Sequence, residues 1–293
     1  MSDEICISII GGSGLYDFEG LEDVRTISLS TPYGEPSDEI VQGFFEGARV
    51  LFLPRHGRGH RLLPSEVNFR ANIWALKKLG AVWCIAVSAV GSLERRIKPG
   101  DFIIPNQLID RTWRRENTFF GNGVVAHVSF ADPFCPVARR ALYEACVELE
   151  ERQGRKTHDG GTYVCMEGPA FSTRAESELH RAWGASAIGM TMLPEAKLAR
   201  EAEMAYAGVC FASDYDCWNE EHGDVDAAGV FEVLRQSSSN IKQVIPGMIR
   251  RLAKSTPSLL AAKALQNALV TDLKEAPSEA LERLAPILAP YLK

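Results

Sequence analysis

The sequence predicts an α/β protein built as one domain around a mainly parallel sheet, and three observations carry that expectation. Apolar runs of strand length alternate with helical patterns of about 10–15 residues, the rhythm of strand-helix-strand units. The runs are apolar throughout and do not alternate with polar residues, as in strands covered on both faces. No internal repeat, low-complexity tract or long Gly/Ser/Pro linker divides the 293 residues, a length that supports one large domain with a continuous core.

Cys6–Ile10 reads as a buried strand that stops at Gly11-Gly12-Ser13-Gly14. Two β-like runs, Glu39–Phe45 and Arg49–Leu53, flank Glu46-Gly47-Ala48 as a hairpin does. After Pro64 a helical pattern runs to Leu79 and ends at Gly80, proline at the start and glycine past the end. Val82–Ser88 is a strand followed at once by Ala89-Val90-Gly91-Ser92. Further helices are expected at Pro136–Gln153, closed by Gly154, and at Thr173–Trp183, closed by Gly184. The second opens on Thr173-x-x-Glu176, a capping box. Ala185–Ile188 and Gly208–Ala212 read as short core strands separated by a helix starting near Pro194. From about Ala227 the pattern is mostly helical. Residues 1–254 form the body, and Ser255–Lys293 a helical C-terminal extension of the same domain.

With 32 basic and 38 acidic side chains the net charge is −6. That disfavours nucleic acid and anionic membranes as partners, since both attract positive charge. No window approaches the roughly 18 apolar residues of a membrane-spanning helix. The acidic start Met1-Ser2-Asp3-Glu4 is unlike a signal peptide. The seven cysteines are scattered and never spaced C-x-x-C, which argues against a disulfide framework or a zinc site and for reduced thiols in a cytoplasm. If the ligand is an anion, local groups must hold it.

In such sheets ligands gather beyond the carboxyl ends of strands, and four polar clusters lie there. Gly11-Gly12-Ser13-Gly14 can present amides and a hydroxyl to an anion. Asp17 breaks the dinucleotide fingerprint, no P-loop lysine follows, and a tight structural turn explains the glycines equally. Arg55-His56-Gly57-Arg58-Gly59-His60 concentrates cationic side chains beside glycines; an arginine fork and an imidazole donor suit a pair of phosphate oxygens. A solvated basic loop is the bland alternative. Ser88-Ala89 closes the apolar run that starts at Val82. Ser213-Asp214-Tyr215-Asp216 sets two carboxylates at i and i+2 just past a strand. Buried together, they would raise at least one pKa and give an acid still protonated near neutrality; exposed, they are an acidic turn. In Glu167-Gly168-Pro169-Ala170-Phe171-Ser172-Thr173 a rigid turn brings an aromatic ring that can stack on a planar ligand or fill a core. His127, His158, His180 and His222 share no metal spacing.

Taken in order, Gly11-Gly12-Ser13-Gly14-Leu15, Arg55-His56-Gly57, Asn72-Ile73-Trp74-Ala75-Leu76, Glu167-Gly168-Pro169, Met190-Thr191 with Pro194-Glu195, and Asp214-Tyr215-Asp216-Cys217-Trp218 resemble the methylthioadenosine phosphorylases. These form a branch of the trimeric purine nucleoside phosphorylase superfamily. The resemblance runs from Ile5 to about Leu252 and fades beyond it. It implies a mixed, mainly parallel sheet flanked by helices, and phosphorolysis of S-methyl-5′-thioadenosine to adenine and 5-methylthioribose 1-phosphate. It also implies a homotrimer with no metal or organic cofactor, inorganic phosphate being a co-substrate.

Carried over position by position, phosphate would be held by Ser13, Arg55, His56, Ser88, Ala89 and Thr191. Met190 would lie under the ribose and base, Phe171 near the ring, and Tyr215 on the base side between Asp214 and Asp216. Asp214 would be the general acid at purine N7, and Asp216 would raise its pKa and hold N6. His127 would reach the methylthio end of a neighbouring subunit's substrate, with Val230 lining that end. The 6-oxopurine phosphorylases carry Glu, Asn and an apolar residue where this chain has Ser172, Asp214 and Asp216, so these three positions favour adenine nucleosides over inosine, guanosine or methylthioinosine, the alternative substrates. Ala170, Val90, Gly189 and Ala227 depart from the family's Arg, Cys, Asn and Val. Ala227 widens the 5′ pocket toward adenosine itself.

Overall fold

The computed structural model describes residues 5–12, 15, 17–219 and 227–292, those at 152–153 and 227–238 by backbone alone. Strand β1 (Cys6–Gly11) lies parallel between β4 (Ala48–Pro54) and β5 (Trp83–Ser92). Successive side chains point to opposite faces, so Ile7 and Ile9 enter one core while Cys6 and Ile10 enter the other. A strand covered on both sides must be apolar at both parities, which explains the unbroken run.

Strand β3 (Ile40–Phe45) folds back on β4 through Glu46-Gly47, both at positive φ, 47° and 82°. That backbone matches the right-handed twist of the two strands. Edge strand β2 (Glu22–Ile27) adds antiparallel to β3. On the far side of β5 come β10 (Ala187–Gly189), β9 (Thr162–Met166) and β7 (Gln107–Arg111). The long strand β11 (Ala205–Asp214) runs parallel to β5 and pairs with β6 (Phe102–Ile104), which carries β8 (Thr157–Asp159). The sheet has 11 strands, mixed in direction and mainly parallel.

Helices cover both faces. Helices α2 (Pro136–Gln153) and α5 (Ala227–Ala253) bring Leu142, Leu149, Ile245 and Ile249 onto one face. Helices α1 (Phe69–Lys78) and α4 (Met192–Glu201) bring Ile73, Leu76 and Leu198 onto the other. Helix α3 (Arg174–Ala182) has the expected capping box: Thr173 accepts from the Glu176 amide, and Glu176 from the Thr173 amide.

Of the boundaries that differ from the sequence reading, two have a plain cause. Helix α1 starts at Phe69 and not at Pro64, because the Asn68 side chain takes the Ala71 amide and caps the helix there. Strand β5 continues through Ala89-Val90-Gly91-Ser92, expected as a loop, because β11 stays paired beside it as far as Asp214 opposite Gly91.

The C-terminal extension contains three short helices, α6 (Leu259–Ala262), α7 (Ser278–Arg283) and α8 (Ala285–Leu288). Its Leu265, Leu284, Ile287 and Leu288 are fully buried in the core beside α1 and α4. Glu203 accepts from the Leu265 amide (2.9 Å) and the Tyr291 hydroxyl (2.6 Å), and the Trp74 indole donates to Arg283 O (2.9 Å). Among the described residues no helix is long and apolar enough to cross a membrane.

Candidate active site

The site arises where the sheet divides. The ladder from β1 to β5 ends at Ile10 opposite Ala86, and the ladder from β10 to β5 begins at Ile188 opposite Gly91. Between those points one edge of β5 has no strand beside it, while the other stays paired to β11. A cavity of ≈ 510 Å³ fills the gap and is lined by the residues that follow β1, β4, β9, β10 and β11, the carboxyl ends where parallel sheets place ligands.

One end of the cavity is built for an oxyanion with little net charge. Arg55 is buried and held by four hydrogen bonds: Nε and Nη2 to the Glu195 carboxylate (2.8 and 3.0 Å), Nη1 to Val87 O (3.0 Å) and Nη2 to Ile10 O (3.1 Å). Burial works against its charge, but the Glu195 charge and hydrogen bonds outweigh that and hold the guanidinium firmly protonated. One Nη1 hydrogen remains for a ligand, so the expected fork is already closed on Glu195. The Val87 carbonyl faces the open edge toward Arg55; strand alternation turns the Ala89 amide to the same edge and into the cavity.

His56 Nδ1 lies 3.0 Å from Leu62 O, and a carbonyl can only accept, so Nδ1 carries the hydrogen. Burial, then the Arg55 charge, pushes the ring down to about 4, and His60 stacks on it at 4.5 Å. At neutral pH His56 is therefore uncharged. The sequence reading expected an imidazole donor, but the ring's only hydrogen is spent on Leu62 and Nε2 is an acceptor. Ser88 Oγ and Thr191 Oγ1 complete this end, 2.8 Å apart.

The other end is acidic. The β11 register slips between Ala212 and Asp214, an irregularity that re-aims the Asp214 carboxyl. Oδ2 accepts from Ser213 Oγ (2.5 Å) and Oδ1 from the Asp216 amide (2.7 Å). Burial raises the Asp214 pKa, and these two hydrogen bonds oppose the rise; the Asp216 charge adds to it as a lesser cause. Asp216 is buried at φ 50°, and its Oδ2 has no hydrogen-bond partner among the described residues. The space behind them is tight: a Cβ at Gly91 would lie 3.0 Å from Asp214 Oδ1 and 3.2 Å from Asp216 Cβ.

Between the ends the walls are apolar, with Met166, Phe171, Ile188 and Met190. Gly168, at φ 70°, lets the Met190 sulfur approach to 2.5 Å of where a Cβ would stand. Behind this wall the buried pair Arg115–Glu167 (3.1 Å) ties three segments together. Arg115 also donates to the carbonyls of Met190, Leu193 and Glu167, and Glu167 accepts from the Trp113 amide.

The cavity thus brings together Arg55, His56, Ser88, Ala89, Phe171, Met190, Thr191, Asp214 and Asp216. Three expected residues lie off its lining. The Ser172 hydroxyl turns to Met166 Sδ (3.9 Å), Tyr215 packs edge-on against Trp218 (5.6 Å), and the His127 amide joins Ala268 of the C-terminal extension. Ser13 and the side chains of Ala227 and Val230 lie outside the described residues. Sequence reasoning gave no role to Glu195, Arg115, Tyr163 or Ser213. No sequence signal marks Glu195 as buried, because its helix also carries Lys197, Arg200 and Glu201. Among the described residues no three His, Cys, Asp or Glu side chains gather as a metal site requires. All seven cysteines are buried and unbridged.

The pattern of the phosphorylase superfamily matches residues 7–250. The chain is 53% identical to an S-methyl-5′-thioadenosine phosphorylase of Geobacter sulfurreducens, over 99% of this chain and 100% of that one. Among solved structures it superposes on a methylthioadenosine phosphorylase from an Antarctic soil metagenomic library, with TM-score 0.92 and 48% identity over 97% and 99% of the two chains. It also superposes on the methylthioadenosine phosphorylase of Schistosoma mansoni in complex with adenine, with TM-score 0.80 and 35% identity over 90% and 100%. The likeness therefore extends past Leu252 into the C-terminal extension. In sequence and in fold, the chain belongs to the phosphorylase superfamily.

Proposed function

We propose that this chain splits S-methyl-5′-thioadenosine with inorganic phosphate, releasing adenine and 5-methylthioribose 1-phosphate, a step in purine and methionine salvage. The observation that carries the reading is the buried, unpartnered Oδ2 of Asp216 beside an Asp214 carboxyl whose pKa burial raises. A proton donor next to an unfilled acceptor complements N7 and the 6-amino group of adenine. A 6-oxopurine would set its O6 lone pairs against that oxygen, and an unpaired buried acceptor rejects a ligand strongly. The names of the relatives agree with this choice.

Departure of the base leaves positive charge on the sugar and sends the C1′–N9 electron pair to the purine. Asp214 delivers its proton to N7, and phosphate, held at His56, Ser88, Ala89 and Thr191 with Ser13 and Arg55 beside it, forms the new C1′–O bond. Holding both partners in one cavity supplies much of the rate. Met190 and Phe171 flank the ribose and base, with Ser172 and Tyr215 behind the base and Ala227 and Val230 at the 5′ end. The reading extends to a cytoplasmic homotrimer that needs no metal or organic cofactor, in which His127 closes a neighbour's 5′ pocket. Val125 and Val270, 41% and 67% exposed beside His127, supply apolar surface for such an interface. Adenine release should require phosphate, and methylthioadenosine should be turned over at least tenfold faster than inosine. Cleavage without phosphate, or a preference for inosine, would overturn the proposal.

A further inference from the structure

We propose that Tyr163 is a positioning residue for the anion end: its hydroxyl fixes Thr191, and through Thr191 orients Ser88, so that the Ser88 O–H faces a bound phosphate. The inference rests on the phosphorolysis reading and names a residue that does not line the cavity.

Tyr163 stands on β9, fully buried in the core. Its oxygen lies 3.2 Å from the Thr191 amide and 3.4 Å from Thr191 Oγ1. A backbone N–H can only donate, so the phenol oxygen accepts there and its own hydrogen is left for Thr191 Oγ1. Having accepted, the threonine hydroxyl turns its hydrogen to Ser88 Oγ, 2.8 Å away, which leaves the Ser88 hydrogen for the ligand. A serine–threonine pair without this anchor can point either hydroxyl at the other and present lone pairs to an anion.

Two further observations agree. Thr191 occupies the N-cap of α4, where a threonine side chain ordinarily binds an amide of the first turn, yet it makes no such bond. Its hydroxyl is given to Tyr163 and Ser88 at the expense of helix stability. The phenol is also accommodated at residue 189: a Cβ at Gly189 would come within 2.3 Å of the Tyr163 oxygen. Burial holds the phenol far above its ordinary pKa, so it keeps its hydrogen at any working pH.

The test is Tyr163→Phe, which keeps the ring and removes the oxygen. The KM for phosphate should rise roughly tenfold, while the KM for methylthioadenosine stays within about twofold. Calorimetry with inorganic phosphate alone should show the same loss of affinity. In a Thr191→Val background the substitution should add less than about twofold, because its route is already cut. Should Tyr163→Phe fail to fold, Gly189→Ala displaces the hydroxyl and should give the same phosphate-selective defect. A phosphate KM unchanged within twofold, both KM values rising together, or full additivity with Thr191→Val would overturn the inference. A wild-type chain that binds phosphate but leaves methylthioadenosine intact would remove the phosphorolysis reading and leave Tyr163 to be judged by calorimetry. One that binds no phosphate overturns both.

Discussion

The two ends of the cavity face opposite electrostatic tasks, and each is solved against the obvious charge. The anion end must hold a dianion in a protein of net charge −6, yet its buried cation Arg55 is matched by Glu195. What it offers is directed hydrogens, from the Ser88 hydroxyl, the Ala89 amide and the last Arg55 N–H. The base end must supply a proton, and it offers carboxyls, one whose pKa burial raises and one left, among the described residues, with an unfilled acceptor. The difference teaches that site polarity here is set by which hydrogens and lone pairs are free. Net charge says little. Fixed dipoles of this kind need no reorganisation when charge develops.

Removing the proton source should have the largest effect. In Asp214→Asn the amide oxygen can keep the bond from the Asp216 amide and the amide NH2 can donate to Ser213 Oγ, so the fold should survive while kcat falls about 10²–10⁴-fold. Inorganic phosphate should bind that variant as it binds the wild type. Turnover near the wild-type rate would remove Asp214 as the acid. Because the acid form is the active one, kcat/KM should fall as pH rises through the raised Asp214 pKa, above the ordinary carboxylate range. At the opposite end, Glu195→Ala should cost about 3–5 kcal/mol of stability by leaving Arg55 buried and uncompensated. Urea unfolding measures it; a loss under about 1 kcal/mol would mean that the pair does not hold the divided sheet.

The spent hydrogen of His56 sharpens the comparison through the choice of anion. Hydrogen phosphate and hydrogen arsenate carry an O–H that can donate to His56 Nε2, whereas sulfate at neutral pH carries none. Sulfate should therefore bind about 10–100-fold more weakly than phosphate, with arsenate close to phosphate, and His56→Gln, whose amide donates, should erase the gap. The folded ring titrates near 4, below the ordinary histidine value. Protonation would make Nε2 a donor, so sulfate binding takes up a proton and should tighten up to about tenfold per unit as pH falls from 8 toward 5. Equal affinities for the two anions at pH 8 would refute the acceptor role. The same shift makes His56 a source of stability that is lost as pH falls from its ordinary value toward 4.

Much of the fold is legible locally. The first strand, the Glu46-Gly47 hairpin, the Gly154 stop and the Thr173 box follow from burial parity, positive φ and capping, each decided within a few residues. Strand β2 escapes because its side chains are mostly exposed and leave no alternation to read. Gly91 misleads: it looks like a strand end, but it lies within β5, closely packed by Asp214 at the end of the next strand and by Asp216 in the turn beyond it. The site divides in the same way. Arg55, His56, Ser88 and the two aspartates announce themselves by following apolar runs. Glu195 acts on a partner 140 residues away, and Tyr163 reaches Thr191 across 28, pairings that no local pattern encodes. Ser172 and Tyr215 sit inside the right motifs, but the backbone turns their side chains to Met166 and Trp218.

The smallest expected effect is at Ser213, and it separates the two causes acting on Asp214. Burial lifts the carboxyl pKa while the Ser213 hydroxyl, at 2.5 Å, pulls it down by favouring the ionised form. In Ser213→Ala the first cause remains and the second is gone, so the Asp214 pKa should rise further and the fall of kcat/KM on the alkaline side should move to higher pH. One hydrogen bond is worth about 1 kcal/mol, so the displacement should be less than about one pH unit. The rate at low pH should hardly change, because the protonated carboxyl is still present. If the alkaline limb moves to lower pH instead, Ser213 would be stabilising the protonated acid and the hydroxyl would have to accept from Asp214. The same measurement on Asp216→Asn, which removes the nearby charge but keeps the backbone amide that binds Oδ1, should move the limb the other way. The base end would then be tuned from both sides by neighbours of Asp214, just as the anion end is tuned by the neighbours of Thr191.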